Sequence, residues 1–380
     1  MRVLLVNMTL DPVTGGGTVP RTVQSARALI DCGIGCGIAT TVEAGEPVVG
    51  GLDDIDVLRL PAVGGRFRVP IAGFTALRRV VEQADIVLLV NHWTPINVAA
   101  YRAARRTRTP YVVSPAGALP IVGRSRLAKR IYNAAYGGRI VRQAAGHIAI
   151  TADEARQFEA YGVPADSVTV VPNGMPVLPP GDADAFRARH RLGAAPFALF
   201  LGRLAYIKGP DLLLRAFMRV AAAMPDWHLV FAGHDDSMEA GLRRAAGRDE
   251  AGRRMHFVGH LDVGARSDAL AACDLVVVPS RLEAMSFVVL EAAAMARPVI
   301  ATRTCGVPDV ASSGGGWVVD ADDESLARGL RTAAVDRAAL RAMGAAWKHH
   351  AAARYGWPAI AARYQALFTG IVPRADRARH

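Results

Sequence analysis

"DLVVVPSRLEAMSFVVLEAAAMARPVIAT", residues 274–302, packs a strand, a loop, a helix and a second strand into one short stretch. Leu275–Val278 and Val299–Ala301 are apolar at every position. A strand exposed on one face alternates apolar and polar residues, so strands that do not alternate point to a parallel sheet covered on both faces. Pro279 ends the first strand and leaves Glu283 in the loop at its carboxyl end. A helix begins near Ser286, which can serve as its N-cap. Glu291 then lies about a turn and a half into that helix. Glutamate is rarely buried without a partner, yet Glu283 and Glu291 stand at the two ends of a segment that otherwise reads as core. Two carboxylates lining one crevice suit the vicinal hydroxyls of sugar rings.

The same strand-then-helix pattern extends in both directions. Apolar runs "VLLV" (3–6), "IVLLV" (86–90), "YVV" (111–113), "HIAI" (147–150) and "VTVV" (168–171) occupy the first half, and "FALFL" (197–201), "HLVFAG" (228–233), "DLVVVP" (274–279) and "PVIAT" (298–302) the second. Between them "VPNGMPVLPPGDAD", 171–184, holds four prolines and two glycines and reads as a linker. The expected fold is therefore α/β, with two doubly wound Rossmann-like domains. Their expected bounds are 1–175 and 185–356, with the last helix, about 357–380, able to join either domain.

The 380 residues suffice for two domains. The four cysteines form neither a disulfide framework nor a zinc spacing. "MRVLLVN" lacks the layout of a signal peptide, and no run is long and apolar enough to span a bilayer, so a cytoplasmic protein is expected. The net charge of +11 is uneven: residues 60–150 carry fourteen Lys or Arg against Glu82 and Asp85. That imbalance of +12 leaves about −1 for the rest of the chain. One face of the first half should therefore meet something anionic.

Ligands of doubly wound sheets sit beyond the carboxyl ends of the strands, beside helix N-termini. "TLDPVTGGGT", 9–18, follows the first strand, and Gly15–Gly17 would let backbone N–H groups approach a phosphate or sugar. Its glycines come too late after the strand for a dinucleotide fingerprint, which argues against a nicotinamide-dependent oxidoreductase. In "FLGRLAYIKGPDLLLRAF", 200–217, Arg203 and Lys208 straddle a helix start, a pairing suited to a diphosphate. "DDID", 53–56, contains a D-x-D but reads as a surface turn, so no metal is expected.

Glu283 to Glu291, "EAMSFVVLE", resembles the E-x7-E motif of the retaining family 4 (group 1) glycosyltransferases, with Ala284, Met285 and Ser286 in place of Gly, Phe and Gly. "GRLAYIKG" resembles that family's G-R-x-x-x-x-K-G, "VPNGM" its P-N-G, and "CGVPDVASSGGGWVV", 305–319, its G-x-P-E-x…G stretch. "SPAGALPIVGRSRLAKRIYN", 114–133, resembles the first domain of members that build bacterial surface polysaccharides. The resemblance covers nearly the whole chain. It implies a GT-B fold, two such domains facing a cleft, and a GDP- or UDP-linked sugar as donor, with no other cofactor. It further implies that Arg203 and Lys208 hold the diphosphate, that Glu291 takes the ribose hydroxyls and that Glu283 takes those of the transferred hexose. Ser286, Phe287, Gly16, Gly17 and Gly202 would supply backbone contacts to the donor. On the acceptor side, Ala116 stands where many members carry His or Arg. His92, Trp93 and Asn97 of "NHWTPIN" offer replacements, with Asn173 beside the linker.

Leaving-group stabilisation by two cations and a helix dipole needs no metal. A GT-B epimerase or phosphorylase would use the same scaffold, and a non-enzymatic polyanion binder would also explain the basic region. Nucleic acid is not an expected partner, because no aromatic-interleaved basic strand or recognition helix appears. "GRSRLAKRIYNAAYGGRIVR", 123–142, sets Arg124, Arg126, Lys129, Arg130, Arg139 and Arg142 around Leu127, Ile131, Tyr132 and Ile140. Such a helix suits an anionic leaflet, and with it a lipid-linked glycan acceptor in lipopolysaccharide, exopolysaccharide or capsule synthesis, reached from the inner face of the membrane.

Overall fold

The computed structural model describes residues 1–44, 46, 52–121, 125–247 and 250–372. The chain divides into two compact units. One comprises Met1–Gly174 and the chain from Trp357 onward; the other is Met175–Gly356. The second starts ten residues ahead of the expected 185, since the linker is tied to it by the Met175 N–H, which donates to the Tyr355 carbonyl, and the Asp182 N–H, which donates to Asp268 Oδ1.

In the first unit, β1 (Arg2–Val6), β2 (Gly35–Val42), β3 (Asp56–Val63), β4 (Val69–Pro70), β5 (Ile86–Val90), β6 (Tyr111–Ser114), β7 (Gly146–Ala149) and β8 (Thr169–Val170) form one sheet. Its order is β4-β3-β2-β1-β5-β6-β7-β8, with β4 antiparallel and every other pairing parallel. Both faces are covered, which is why β1 and β5 do not alternate. Leu4, Val6, Val87 and Leu89 pack toward the helices Phe74–Glu82 and Pro95–Thr107. Val3, Leu5, Ile86 and Leu88 pack with the helix Thr18–Asp31 and with Ile360, Tyr364 and Phe368 of the last helix, Trp357–Ile371. That last helix belongs to the first unit.

Arg21 ties this returning helix down. It is buried, and its guanidinium donates to the carbonyls of Val171 and Pro172, to Asn173 Oδ1 and to the Tyr364 hydroxyl, all at 2.9–3.1 Å. Asn173, expected on the acceptor side, is thus the buried partner of a structural arginine.

The second unit holds β9 (Phe197–Leu201), β10 (His228–Ala232), β11 (Met255–Gly259), β12 (Leu275–Val278), β13 (Val299–Thr302) and β14 (Gly316–Val319). All pair in parallel in the order β11-β10-β9-β12-β13-β14. Phe200, Phe231, Val277 and Ile300 meet Leu213 and Phe217 of the helix Pro210–Val220 and Leu326 and Leu330 of the helix Asp323–Ala334. Each sheet reverses its winding once, between β1 and β5 and between β9 and β12. At such a switch point adjacent loops part and leave a crevice.

At the opposite, amino-terminal end of β10, His228 Nδ1 lies 2.8 Å from His256 Nε2, with the rings stacked 5.0 Å apart. One nitrogen must carry a hydrogen and the other must accept it, so the two rings cannot both be protonated. Burial pushes His256 down from 6.5 to about 4, helped by the nearby His228 and His190. Burial, Arg254 and Arg187 lower His228 as well. The unfolded chain takes up these protons near pH 6.5, while the fold resists them. The contribution of the pair is therefore complete above pH 6.5 and falls as the pH drops toward 4. Thermal unfolding at pH 7 and pH 5 should show a smaller acid-induced drop in Tm for His256→Gln than for the wild type. Equal drops would refute this assignment.

Candidate functional site

Two loops meet at the switch point of the second sheet. The loop after β9 runs through Gly202 and Arg203 to Lys208 and Gly209; the loop after β12 runs from Pro279 to Ser286. Gly209 adopts φ +70°, and a Cβ there would stand 2.1 Å from the Pro279 carbonyl oxygen. Only glycine lets the loops approach this closely. Arg281 locks the same junction: both of its terminal nitrogens bond Asp211, and it also donates to the Tyr206 carbonyl at 2.7 Å while lying over that ring. Sequence reasoning missed Arg281, although it lies inside the stretch that decided the fold.

Held in this way, Lys208 Nζ stands 2.6 Å from Glu283 Oε1, and Ser280 Oγ donates to Glu283 Oε2 at 2.8 Å. Both Glu283 oxygens are therefore occupied. Arg203 is half exposed and pairs with Asp236 beyond the end of β10 at 2.8 Å. The structure thus joins Lys208 to Glu283 directly and turns Arg203 to a separate carboxylate.

Ser286 occupies the N-cap position of the helix Phe287–Ala294 as expected, but its hydroxyl makes no capping bond. Its backbone N–H goes to the Cys305 carbonyl at 2.8 Å, and its buried Oγ has no partner among the described residues. The first N–H groups of a helix have no intrahelical acceptor, so this end, which starts with Phe287, carries uncompensated positive dipole. Glu291 is buried one turn further. Arg266 Nη1 reaches its Oε1 at 2.8 Å, while its Oε2 has no partner among the described residues. Arg266, on the helix Val263–Ala272, carries no sequence signal that would have singled it out. The helix is pinned from behind by the buried Trp347, whose indole N–H donates to the Val289 carbonyl at 3.0 Å.

At the switch point of the first sheet, Gly16 follows β1 with φ +55° and open space around its Cα, while Gly17 opens the helix Thr18–Asp31 in ordinary right-handed geometry. Beyond β5, His92 is buried against Trp93, Tyr132 and Tyr161, with ring centroids 4.4–5.8 Å away. Burial pushes its imidazole down to about 4, and its Nε2 lies 3.3 Å from Asn133 Oδ1. Asn133 opens a π-helical turn, Asn133–Gly137, a distortion often found at functional sites. A Cβ on Gly137 would come within 3.0 Å of His92 Nε2. Trp93 lies under Lys129, and its buried indole nitrogen has no partner among the described residues. Asn97 does not share this arrangement: its amide donates to the Val90 and Asn91 carbonyls, closing the end of β5. Ala116 and Gly117 both have positive φ, and the buried Glu154 accepts the Gly117 N–H at 2.5 Å and the Ile150 N–H at 2.7 Å.

Two α/β units with largely parallel sheets, each with a crevice at its switch point, make up the GT-B architecture. Residues 195–336 match the family described as glycosyl transferases group 1, and residues 16–174 match the glycosyl transferase 4-like domain. The chain is 30% identical over 386 residues to D-inositol 3-phosphate glycosyltransferase 1 of Catenulispora acidiphila, across 94% of this chain and 91% of that protein. It is 32% identical over 259 residues to the D-inositol 3-phosphate glycosyltransferase of Geodermatophilus obscurus, across 63% of this chain and 56% of that protein. Anabaena HepE, crystallised with UDP, shares the fold with a TM-score of 0.77 at 19% identity, over 97% of this chain and all of that one. The chain belongs to the family 4 (group 1) glycosyltransferases.

The unsatisfied Ser286 hydroxyl yields a test that separates stability from binding. An orphaned buried polar group is destabilising, so Ser286→Ala should leave Tm unchanged or slightly higher. Its affinity for UDP or GDP, measured by calorimetry, should fall if that hydroxyl faces the ligand. A drop in Tm of several degrees would show that Ser286 is a structural cap instead.

Proposed function

We propose that the protein transfers a hexosyl group from a UDP- or GDP-linked sugar, with retention of configuration and without a metal ion, to a phosphate-bearing glycan acceptor held at the inner face of the cytoplasmic membrane. The observation that carries this reading is the Lys208–Glu283 pair, 2.6 Å apart at the switch point and beside an uncapped helix N-terminus. Lys208 and Arg203 would neutralise the diphosphate, the dipole of the helix from Phe287 would face it, and Glu291 Oε2 would accept the ribose hydroxyls. Glu283 would accept those of the hexose. The bond from the anomeric carbon to the phosphate oxygen breaks, with the electron pair leaving on the diphosphate. The acceptor oxygen bonds the same carbon from the same face, and its proton passes to the departing phosphate oxygen. The two cations can take the leaving charge directly.

The basic excess of residues 60–150 supports an anionic acceptor. Within it, Arg126, Arg130, Leu127 and Ile131 are all exposed on the helix Arg126–Tyr132; Arg124 lies outside the described residues. This pattern favours a lipid-linked glycan of surface-polysaccharide synthesis. A soluble phosphorylated polyol, such as the one in the names of the relatives, is the second reading.

Lys208→Ala and Arg203→Ala should each lower transfer by about two orders of magnitude or more, equivalent to ~3–4 kcal/mol of barrier, with the fold intact by circular dichroism. Glu291→Ala should weaken binding of the bare nucleotide, whereas Glu283→Ala should spare it and reduce turnover. Near-wild-type rates in the first two, or equal losses in the last two, would defeat these roles. Activity should persist in EDTA, and nuclear magnetic resonance of the product should show the donor's anomeric configuration.

Sedimentation with anionic vesicles checks the membrane reading. Binding at low salt should weaken at high salt and in Arg126→Glu/Lys129→Glu/Arg130→Glu, since each basic residue near the surface contributes ~1 kcal/mol. No binding at low salt would leave the soluble acceptor.

A further inference from the structure

A groove of about 690 Å³ opens on the first unit between the helices Phe74–Glu82 and Pro95–Thr107 and the π-helical turn. Its volume falls in the range of small-molecule sites. One face of the second helix forms its floor: Pro95, Val98, Ala99, Arg102, Ala103 and Arg106 recur at the spacing that puts residues on one side of a helix. Phe74, Leu77 and Arg78 supply a wall, and Tyr132 and Tyr136 close the other side. None of the lining residues is acidic. The apolar end, at Pro95 and Tyr132, adjoins the His92 cluster. The cationic end lies about three helical turns further along, at Arg106.

The charges there are not consumed by the fold. Arg102 bonds the Tyr136 hydroxyl and stacks 5.0 Å from its ring. Among the described residues neither Arg78 nor Arg106 makes an ion pair or a hydrogen bond through its side chain. Two large apolar side chains of the groove itself stay open to solvent: Phe74 is 50% and Val69 44% exposed. Exposed apolar residues of this size mark a surface that something covers.

We infer that this groove is a lipid site: it takes the hydrocarbon chain of one anionic lipid along Val98, Ala99 and Ala103, with the lipid's phosphate held by Arg78, Arg102 and Arg106. A peptide helix would also be covered by apolar walls. A phosphate, however, matches a cluster of arginines with no acid among them. The inference rests on the membrane reading proposed above and deepens it, giving one lipid of that bilayer a seat whose hydrocarbon end adjoins the His92 cluster.

The test uses dodecyl phosphate below its micellar concentration, titrated calorimetrically into the whole protein without donor, with butyl phosphate and inorganic phosphate as comparators. Dodecyl phosphate should bind at least about tenfold more tightly than butyl phosphate, because each buried methylene adds affinity. Ala99→Trp, which fills the groove, and Arg78→Glu/Arg106→Glu, which changes only exposed side chains, should each weaken it about tenfold. UDP or GDP binding should be unaffected. Val98→Phe replaces Ala99→Trp if circular dichroism shows that variant unfolded. Affinity independent of chain length, wild-type binding in the filled and charge-reversed variants, or tighter binding of an acidic amphipathic peptide would overturn the inference. Vesicle sedimentation keeps the two readings apart. Vesicle binding without dodecyl phosphate binding refutes the groove alone, and the reverse refutes the membrane reading alone.

Discussion

The ion pair between Lys208 and Glu283 joins the two loops at which the second sheet changes direction, and the rest of the site is arranged around it. The pair is mostly shielded from water, with side chains 24% and 13% exposed. Removing two charges from water is costly, and such pairs are weak contributors to stability. Its surroundings explain why it is nonetheless well defined. Ser280 satisfies the second carboxylate oxygen, Gly209 lets the loops touch, and Arg281 holds Asp211 and the Tyr206 carbonyl together. An anion entering this crevice competes with Glu283 for the ammonium, while a hydroxyl competes with the ammonium for Glu283. A ligand carrying both groups, as a sugar diphosphate does, can satisfy both partners at once.

The first unit solves the complementary problem of burying polar groups without charging them. His92 sits among three aromatic rings, and burial keeps it neutral over the physiological range. A neutral imidazole can accept or donate a hydrogen bond without the desolvation cost of an imidazolium. Arg21 is the exception: its charge is permanent, and four acceptors surround it. Those acceptors come from the end of the first unit's chain and from the helix that returns to it, so one buried guanidinium fixes where the last helix docks.

Much of this was legible in the sequence. Strands that are apolar almost throughout announced sheets covered on both faces; in the second sheet they mark the four central strands, and in the first they run from β1 to the edge strand β8. The missed strands were β2 (GCGIATTV), β3 (DVLRLPAV), β4 (VP), β11 (MHFVG) and β14 (GWVV), whose glycine, proline or polar residues break the apolar run. Most lie toward the sheet margins, where burial demands less of the sequence. In the site, the N-cap position of Ser286 and the place of Glu291 within that helix followed from helix geometry. The pairing of Glu291 with Arg266 did not, because an arginine on another helix carries no register. Asn97 and Asn173 read as polar candidates in the right loops, yet backbone carbonyls and a buried arginine claim them. A one-dimensional pattern places such a residue but does not say which neighbour arrives first.

The choice of cation at position 208 is itself informative. The chain has 45 basic residues, and only Lys129, Lys208 and Lys348 are lysine. Elsewhere it uses arginine even for buried pairing, as in Arg281 with Asp211 and Arg266 with Glu291. A planar guanidinium facing Glu283 would form two parallel bonds to the carboxylate and leave that fork fixed on it. An ammonium presents three donors around one point charge. It can hold Glu283 Oε1 with one and keep two for a phosphate. Lysine at 208 therefore suits a position that must serve a carboxylate and an incoming anion together, whereas arginine at 281 and 266 suits positions whose task is to hold one carboxylate still.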